Sequence, residues 1–261
     1  MDKVTRDICR WFDRYAEAFY GQDRGIDANL MCKQAHCRRV AALAADLGRR
    51  LDLGPAVRST AQLAGLLHDV GRFEQFAQYR TFMDAASLDH GAYGVSVLAR
   101  YKVLDKLDGA TRRSIQAAIW WHNKPELAGA LSGQDLLVSK IVRDCDKLDI
   151  YRIVLPVYEG KAGHEPLDLG VDLPDVPGCS QAILDALCNR SKVHAARIST
   201  LNELKLMQLG WVYDINFKYT LESLAGLRYL HRLAATIPDT DGLRDAKQAV
   251  LAYLDSALEG P

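Results

Sequence analysis

Six residues of this chain have the types and settings to do chemistry: His36, His68, Asp69, His90, His122 and Asp146. The four histidines lie beside or inside apolar, helix-patterned stretches such as KQAHCRRVAALAADL, AQLAGLLHDVGRFEQ and AAIWWHNKPE. Imidazole is a poor choice for such places unless something there binds it. Imidazole and carboxylate together suit borderline and hard divalent metals. One ion takes about four to six donors, so three histidines and two aspartates fill one site. The whole set is enough for two adjacent ions, and a carboxylate directly after a histidine, as in His68-Asp69, can bridge them. Such a pair clamps a phosphoryl group: one ion polarises its oxygens and helps generate a hydroxide for in-line attack.

Taken singly, each signal is weak. A lone histidine near an apolar face is usually a hydrogen-bonded structural residue, and a lone His-Asp dipeptide arises often by chance. The order H…HD…H…H…D across one helical array is far more specific, with intervals long enough for a helix and its return. The elements that must position these residues are helices. Residues 4 to 19 place Val4, Ile8, Trp11, Phe12, Tyr15 and Phe19 on one stripe. A long alanine- and leucine-rich helix is expected over 28–51, ending near Gly54-Pro55. The next runs over 56–69 into His68-Asp69, with Gly71 as its stop. Residues 72–88 read as irregular. Helices follow over 89–105, 110–122 and 133–153, the second closed by the Asn-Lys-Pro turn at 123–125.

Residues 156–178 hold Pro156, Pro166, Pro174 and Pro177 with four glycines and read as a loop or lid. Helical patterns resume over 180–188, 193–209, 216–236 and 241–258. No stretch alternates convincingly as a strand, so the fold class is all-α. The expected layout is an N-terminal helix over 1–27 packing on a core domain over 28–155, a loop or lid over 156–179 and a C-terminal helical extension over 180–261.

Composition sets the remaining bounds. The chain has 261 residues, 49% of them apolar and 25% charged, which excludes a disordered protein. Lysine plus arginine equals aspartate plus glutamate at 33 each, which argues against long nucleic acid held by bulk charge. The six cysteines form no CxxC pair. The start, MDKVTRDICRWFDRY, has no apolar core of a secretory signal, and no window approaches a membrane span. A reduced, cytoplasmic setting is the expectation. Phosphate loops of the GxGxxG and GKT kinds are absent, as is a GxSxG elbow.

The pattern resembles the HD-domain superfamily of metal-dependent phosphohydrolases, an all-helical fold, over about residues 28 to 155. LAGLLHDVGRFEQF and IVRDCDKLDI carry the resemblance most closely. The resemblance implies that His36, His68, Asp69 and Asp146 hold a core metal. It implies that His90 and His122 are the extra histidines of the binuclear branches, where the HD aspartate bridges. Asp146 is chosen because a basic residue and a leucine follow it, as in the family; Asp144 is the fallback. The ion is divalent, one or two per site, with iron, manganese, magnesium, zinc, nickel and cobalt all open. One departure is Arg72, where mononuclear members often carry an acid. A cation there is similar to the phosphate-facing lysine of HD-GYP-like binuclear enzymes, and arginine suits bidentate phosphate contact. The GYP motif itself is absent.

Other residues near the pattern are candidates too. Lys124 and Lys147 could meet a substrate phosphate, although each reads first as a solvated charge. Glu74 could orient a water or pair with Arg72, although it reads first as a surface acid. Asp89 could hold His90 from behind, as metal-bound imidazoles usually require. Tyr79, Arg80, Thr81 and Asp84 populate the irregular segment expected to line an entrance. Trp120 and Trp121 read first as core, as do the aromatics of WVYDINFKYTLESL, where Lys218 could close over the site. His164, His194 and His231 fall outside the pattern, His164 in the proline-rich loop as an exposed residue. Together these readings imply a metal-dependent phosphohydrolase, with Asp69 and Arg72 catalytic. It would cleave an ester or anhydride of a small phosphorylated, nucleotide-like substrate through a metal-bound hydroxide. The alternatives are a nucleotide-binding signalling module and an HD-type diiron oxygenase. No membrane is implied as partner, and homo-oligomerisation is left open.

Overall fold

A computed structural model describes residues 2–21, 23–161 and 173–259, all of them helical or irregular with no strand among them. Residues 162–172 of the proline-rich segment, His164 among them, lie outside the described residues. The described residues up to Asp149 form one compact unit and those from Ile150 a second. The division falls inside a helix.

The first unit holds α1 (Lys3–Glu17), α2 (Arg24–Arg50), α3 (Pro55–Leu67), α4 (Gly71–Tyr79), α5 (His90–Arg100), α6 (Gly109–Trp121) and most of α7 (Gly133–Tyr158). Their starts follow local chemistry. Asp2, Asp23, Asp89 and Asp108 each cap a helix by accepting from backbone N–H groups of its first turn, and Pro55 opens α3 after Gly54. In α2 the buried stripe Leu30, Cys37, Val40, Ala44 and Leu47 carries His36 inward with it. That stripe packs on α3, and Gly65 permits the approach: a Cβ there would lie 3.1 Å from the Val40 carbonyl oxygen and 3.2 Å from the Ala41 Cα. His36 and His68, the latter just past the end of α3, are thereby brought edge to edge, with the planes of their rings 70° apart.

Two departures from the sequence expectation matter here. Residues 72–88 are irregular only in their second half, since α4 occupies Gly71–Tyr79 and a short 3-10 turn covers Asp84–Ala86. Gly71 opens this helix instead of ending the previous one. Its role is steric: a Cβ on it would lie 2.5 Å from the His90 carbonyl oxygen and 2.8 Å from the Gly94 nitrogen, so α4 and α5 touch backbone to backbone. Glu74, on α4, pairs with Arg100 and not with Arg72. It also accepts from the Tyr15 and Tyr93 hydroxyls, tying α1, α4 and α5 together.

The second unit continues α7 past Pro156 to Tyr158, so the helix outruns the loop expected from residue 156. It then holds α8 (Gln181–Cys188), α9 (Leu201–Leu209), α10 (Lys218–Gly226), α11 (Tyr229–Ala235) and α12 (Asp241–Glu259). The single helix expected over 216–236 is broken at Arg228, whose φ of +53° is left-handed and ends α10. Of the helix expected over 193–209, only α9 and a short 3-10 turn at Ala195–Arg197 form. Ile183, Leu187, Leu206, Leu233, Val250 and Leu254 form the buried centre of this unit. No described helix is long and apolar enough to cross a membrane.

Candidate metal centre

The site lies wholly in the first unit. His36 comes from the interior of α2, and His68 and Asp69 from the turn between α3 and α4. His90 is the first residue of α5, His122 follows the last residue of α6, and Asp146 lies inside α7. All four histidines and Asp69 are buried. The six side chains that the sequence order singled out converge on one another.

Distances divide them into two halves around Asp69. In the first, His36 Nε2 is 3.2 Å from His68 Nε2 and 3.1 Å from Asp146 Oδ1. His68 Nε2 lies 3.4 Å from both Asp146 Oδ1 and Asp69 Oδ2. In the second, His90 Nε2 and His122 Nε2 are 2.9 Å apart. They stand 3.3 and 3.4 Å from the other Asp69 oxygen, Oδ1. Each carboxylate oxygen of Asp69 therefore serves a different histidine pair. The groups His36–His68–Asp146 and His68–Asp69–His122 each have ligand atoms close enough to hold a metal ion.

The other ring nitrogens decide what the converging ones can do. His68 Nδ1 faces the Gly65 carbonyl at 2.8 Å and His122 Nδ1 the Ile119 carbonyl at 2.7 Å. His36 Nδ1 faces Asp149 at 2.7 Å and His90 Nδ1 faces Asp84 at 2.6 Å. Carbonyls and carboxylates only accept, so the proton of each neutral ring is assigned to Nδ1 and the lone pair to Nε2. His90 Nε2, His122 Nε2 and Asp69 Oδ1 are then three acceptors within 3.4 Å with no hydrogen among them. Acceptors packed in this way repel unless a cation lies between them. The donor set of imidazole and carboxylate, with every imidazole backed by an acceptor, fits a divalent metal.

Electrostatics agree. Burial alone would raise the Asp69 carboxyl, but Lys33 and His68 outweigh it and hold Asp69 well below the usual carboxylate range. Asp146 is also held well below that range: burial is outweighed by His68 and His36. Burial alone would lower His68, yet Asp69 and Asp146 push it up to about 10. Even with Lys33 beside Asp69, the two carboxylates keep a proton on His68, and a metal would take that proton's place. His90 goes the other way, down to about 3, through burial and the nearby Arg72 guanidinium. Its Nε2 lone pair is therefore free of a proton at neutral pH.

The surrounding cations are placed differently from their sequence reading. Arg72 Nη1 donates to Asp84 at 2.9 Å, to Gln75 at 2.8 Å and to the Phe82 carbonyl. Its Nε is buried without a hydrogen-bond partner, 3.6 Å from Asp69 Oδ1. Lys124 is closely paired with Asp89 and lies over the Trp120 ring. Lys147 is buried, 8% exposed, and is engaged within the protein rather than presented to solvent. Asp144, the fallback ligand, is fully buried. His90 is anchored by Asp84 and not by Asp89, which caps α5 and accepts from Asn123.

Two residues carry weight here that the sequence pattern did not single out. Lys33 Nζ is 2.8 Å from Asp69 Oδ2, and it lies one helical turn before His36, a spacing that could have flagged it. Asp149 anchors His36 and is itself gripped by Arg39 at 2.7 and 2.9 Å. Asp149 lies one turn after Asp146, so both meet the same ring.

Residues 34–151 match the family model of the HD domain, a span that includes all six converging residues. No curated protein matches the chain. No solved structure matches it either. With the helical fold and the histidine–aspartate cluster, that match identifies residues 34–151 as an HD domain, of the superfamily whose members are generally metal-dependent hydrolases.

Proposed function

We propose that the protein is a metal-dependent phosphohydrolase. Its reaction would cleave an ester or anhydride bond of a small phosphorylated, nucleotide-like substrate. The observation that carries this reading is the crowding of Nε2 lone pairs and carboxylate oxygens around the two oxygens of Asp69. His36, His68, Asp146 and Asp69 Oδ2 would hold one ion, and His90, His122 and Asp69 Oδ1 a second. When bound, such ions supply Lewis acidity toward phosphoryl oxygens and a water acidic enough to act as nucleophile near neutral pH.

The chain's own groups do the rest. Asp69 links the two halves, so it sets their separation. Arg72 keeps Nε unpartnered toward Asp69, which leaves that donor to meet a substrate oxygen beside the ions. Lys33, beside the other Asp69 oxygen with a fifth of its side chain exposed, adds a second positive charge where a phosphate would enter. Lys124 stands beside His122 and would meet a phosphate only by leaving Asp89. Neutral overall charge means that attraction of an anionic substrate is local to the site.

The test is a screen of phosphorylated metabolites against purified full-length protein supplied with Mn²⁺, Fe²⁺, Mg²⁺, Zn²⁺, Ni²⁺ or Co²⁺. Phosphate or nucleotide release that depends on metal and is lost in His68→Ala supports the reading. Oxygen uptake by the iron-loaded protein with no phosphate release moves the assignment to an oxygenase. Tight nucleotide binding without turnover moves it to a binding module.

A further inference from the structure

The two halves of the centre follow one plan. In each, one histidine is anchored by its own helix: His68 on the carbonyl of Gly65 and His122 on that of Ile119, both three residues back. In each, the other histidine is anchored by a carboxylate from elsewhere in the chain, which an arginine secures. His36 rests on Asp149, held by Arg39, and His90 rests on Asp84, held by Arg72.

The two anchors are seated very differently. Asp149 lies inside α7, its side chain is 1% exposed, and Arg39 grips both of its oxygens. Asp84 belongs to the short 3-10 turn between α4 and α5, and its side chain is 31% exposed. Arg72 reaches it with one nitrogen, which it also shares with Gln75 and the Phe82 carbonyl, and the amides of Gln75 and Asn123 each donate to it once. The first half has four converging donors, because Asp146 joins it, and the second has three.

We propose that Asp149 and Asp84 are positioning residues for His36 and His90, and that the His90–His122 half, hung on the Asp84 turn, is the weaker and exchangeable of two ion positions. This rests on the two-ion reading above. A carboxylate on Nδ1 fixes ring tautomer and orientation and makes Nε2 a better donor, and its loss costs about 10–100-fold in metal affinity. A ring held by a partly exposed turn is less firmly pre-set than one held from inside a helix, so its ion leaves more readily.

Titration of Mn²⁺ into the full-length protein by equilibrium dialysis, with metal counted by elemental analysis, tests this. The wild type should take two ions, the second at least about 10-fold more weakly. Asp84→Asn should weaken only the second ion, by about 10–100-fold, and Asp149→Asn only the first. Nitrogen-15 spectra of the histidine rings, without metal, should show Asp84→Asn moving His90 alone. The double variant Asp149→Asn/Arg39→Met serves if the unpaired Arg39 charge unfolds the single one. Equal affinities in the wild type, or equal effects of the two variants on both ions, overturn the inference and leave the two-ion reading standing. Absence of bound metal in the wild type, matched by His68→Ala, overturns both.

Discussion

Gly71→Ala adds one methyl group at the contact between α4 and α5. That methyl would start 2.5 Å from the His90 carbonyl oxygen and 2.8 Å from the Gly94 nitrogen. Both are backbone atoms, so no side chain can rotate aside. Ordinary contact begins near 3.4 Å, so α5 must withdraw by about 0.6–0.9 Å. Overpacking of this kind costs about 1–3 kcal/mol, and the better helix propensity of alanine returns at most about 1 kcal/mol. The net loss should lower the melting temperature by a few degrees. The local consequence is more specific. His90 opens α5, so the same withdrawal lengthens its 3.3 Å approach to Asp69 Oδ1 and should weaken metal held by the His90–His122 pair. Scanning fluorimetry and equilibrium dialysis with Mn²⁺ read the two effects. Gly109→Ala is the control, because nothing lies within 4 Å of its added methyl. Gly71→Ala with unchanged melting and unchanged metal binding would refute the packing argument.

Three further outcomes are expected. Arg143→Met removes the buried donor to the Trp121, His122, Lys124 and Pro125 carbonyls, and should cost about 2–4 kcal/mol in denaturant unfolding. Burial would raise the Glu74 carboxyl, but hydrogen bonds from Tyr93, Arg100 and Tyr15 hold it below its ordinary value of 4.5. Its charge therefore stabilises the fold above about pH 4.5, and this contribution is lost as pH falls through the lower folded value. Glu74→Gln should destabilise by about 1–2 kcal/mol at pH 7, a gap that narrows below pH 4.5 in parallel urea titrations, with metal binding unchanged. His68→Ala should reduce metal-dependent hydrolysis by more than the roughly 100-fold that losing an outer partner costs, since it removes a ring facing both Asp69 and Asp146.

The sequence made the helices and the convergence of the six polar residues legible for a physical reason. Histidines on apolar stripes, spaced by a helix and its return, are carried toward one shared interior, where their rings can meet. What it hid depends on tertiary contact. Gly71 reads as a stop because glycine ends many helices, whereas here it opens one whose neighbour sits too close for a side chain. Asp89 reads as the partner of His90 because it is adjacent, but an N-cap points its carboxylate at backbone N–H groups, and Asp84 reaches the ring across a turn. Lys33 and Asp149 each lie one helical turn from a marked residue, so their geometry follows from helix periodicity once the inward face is known. Arg228 breaks a helix by taking a left-handed conformation that no residue type there announced.

Crystals grown with Mn²⁺ and measured for anomalous scattering test the central claim most directly. The account predicts density between His36, His68, Asp146 and Asp69, and between His90, His122 and Asp69, with Nε2 atoms at about 2.0–2.3 Å. Contradiction would be a centre with no such peak, in which His90 and His122 share a proton between their Nε2 atoms.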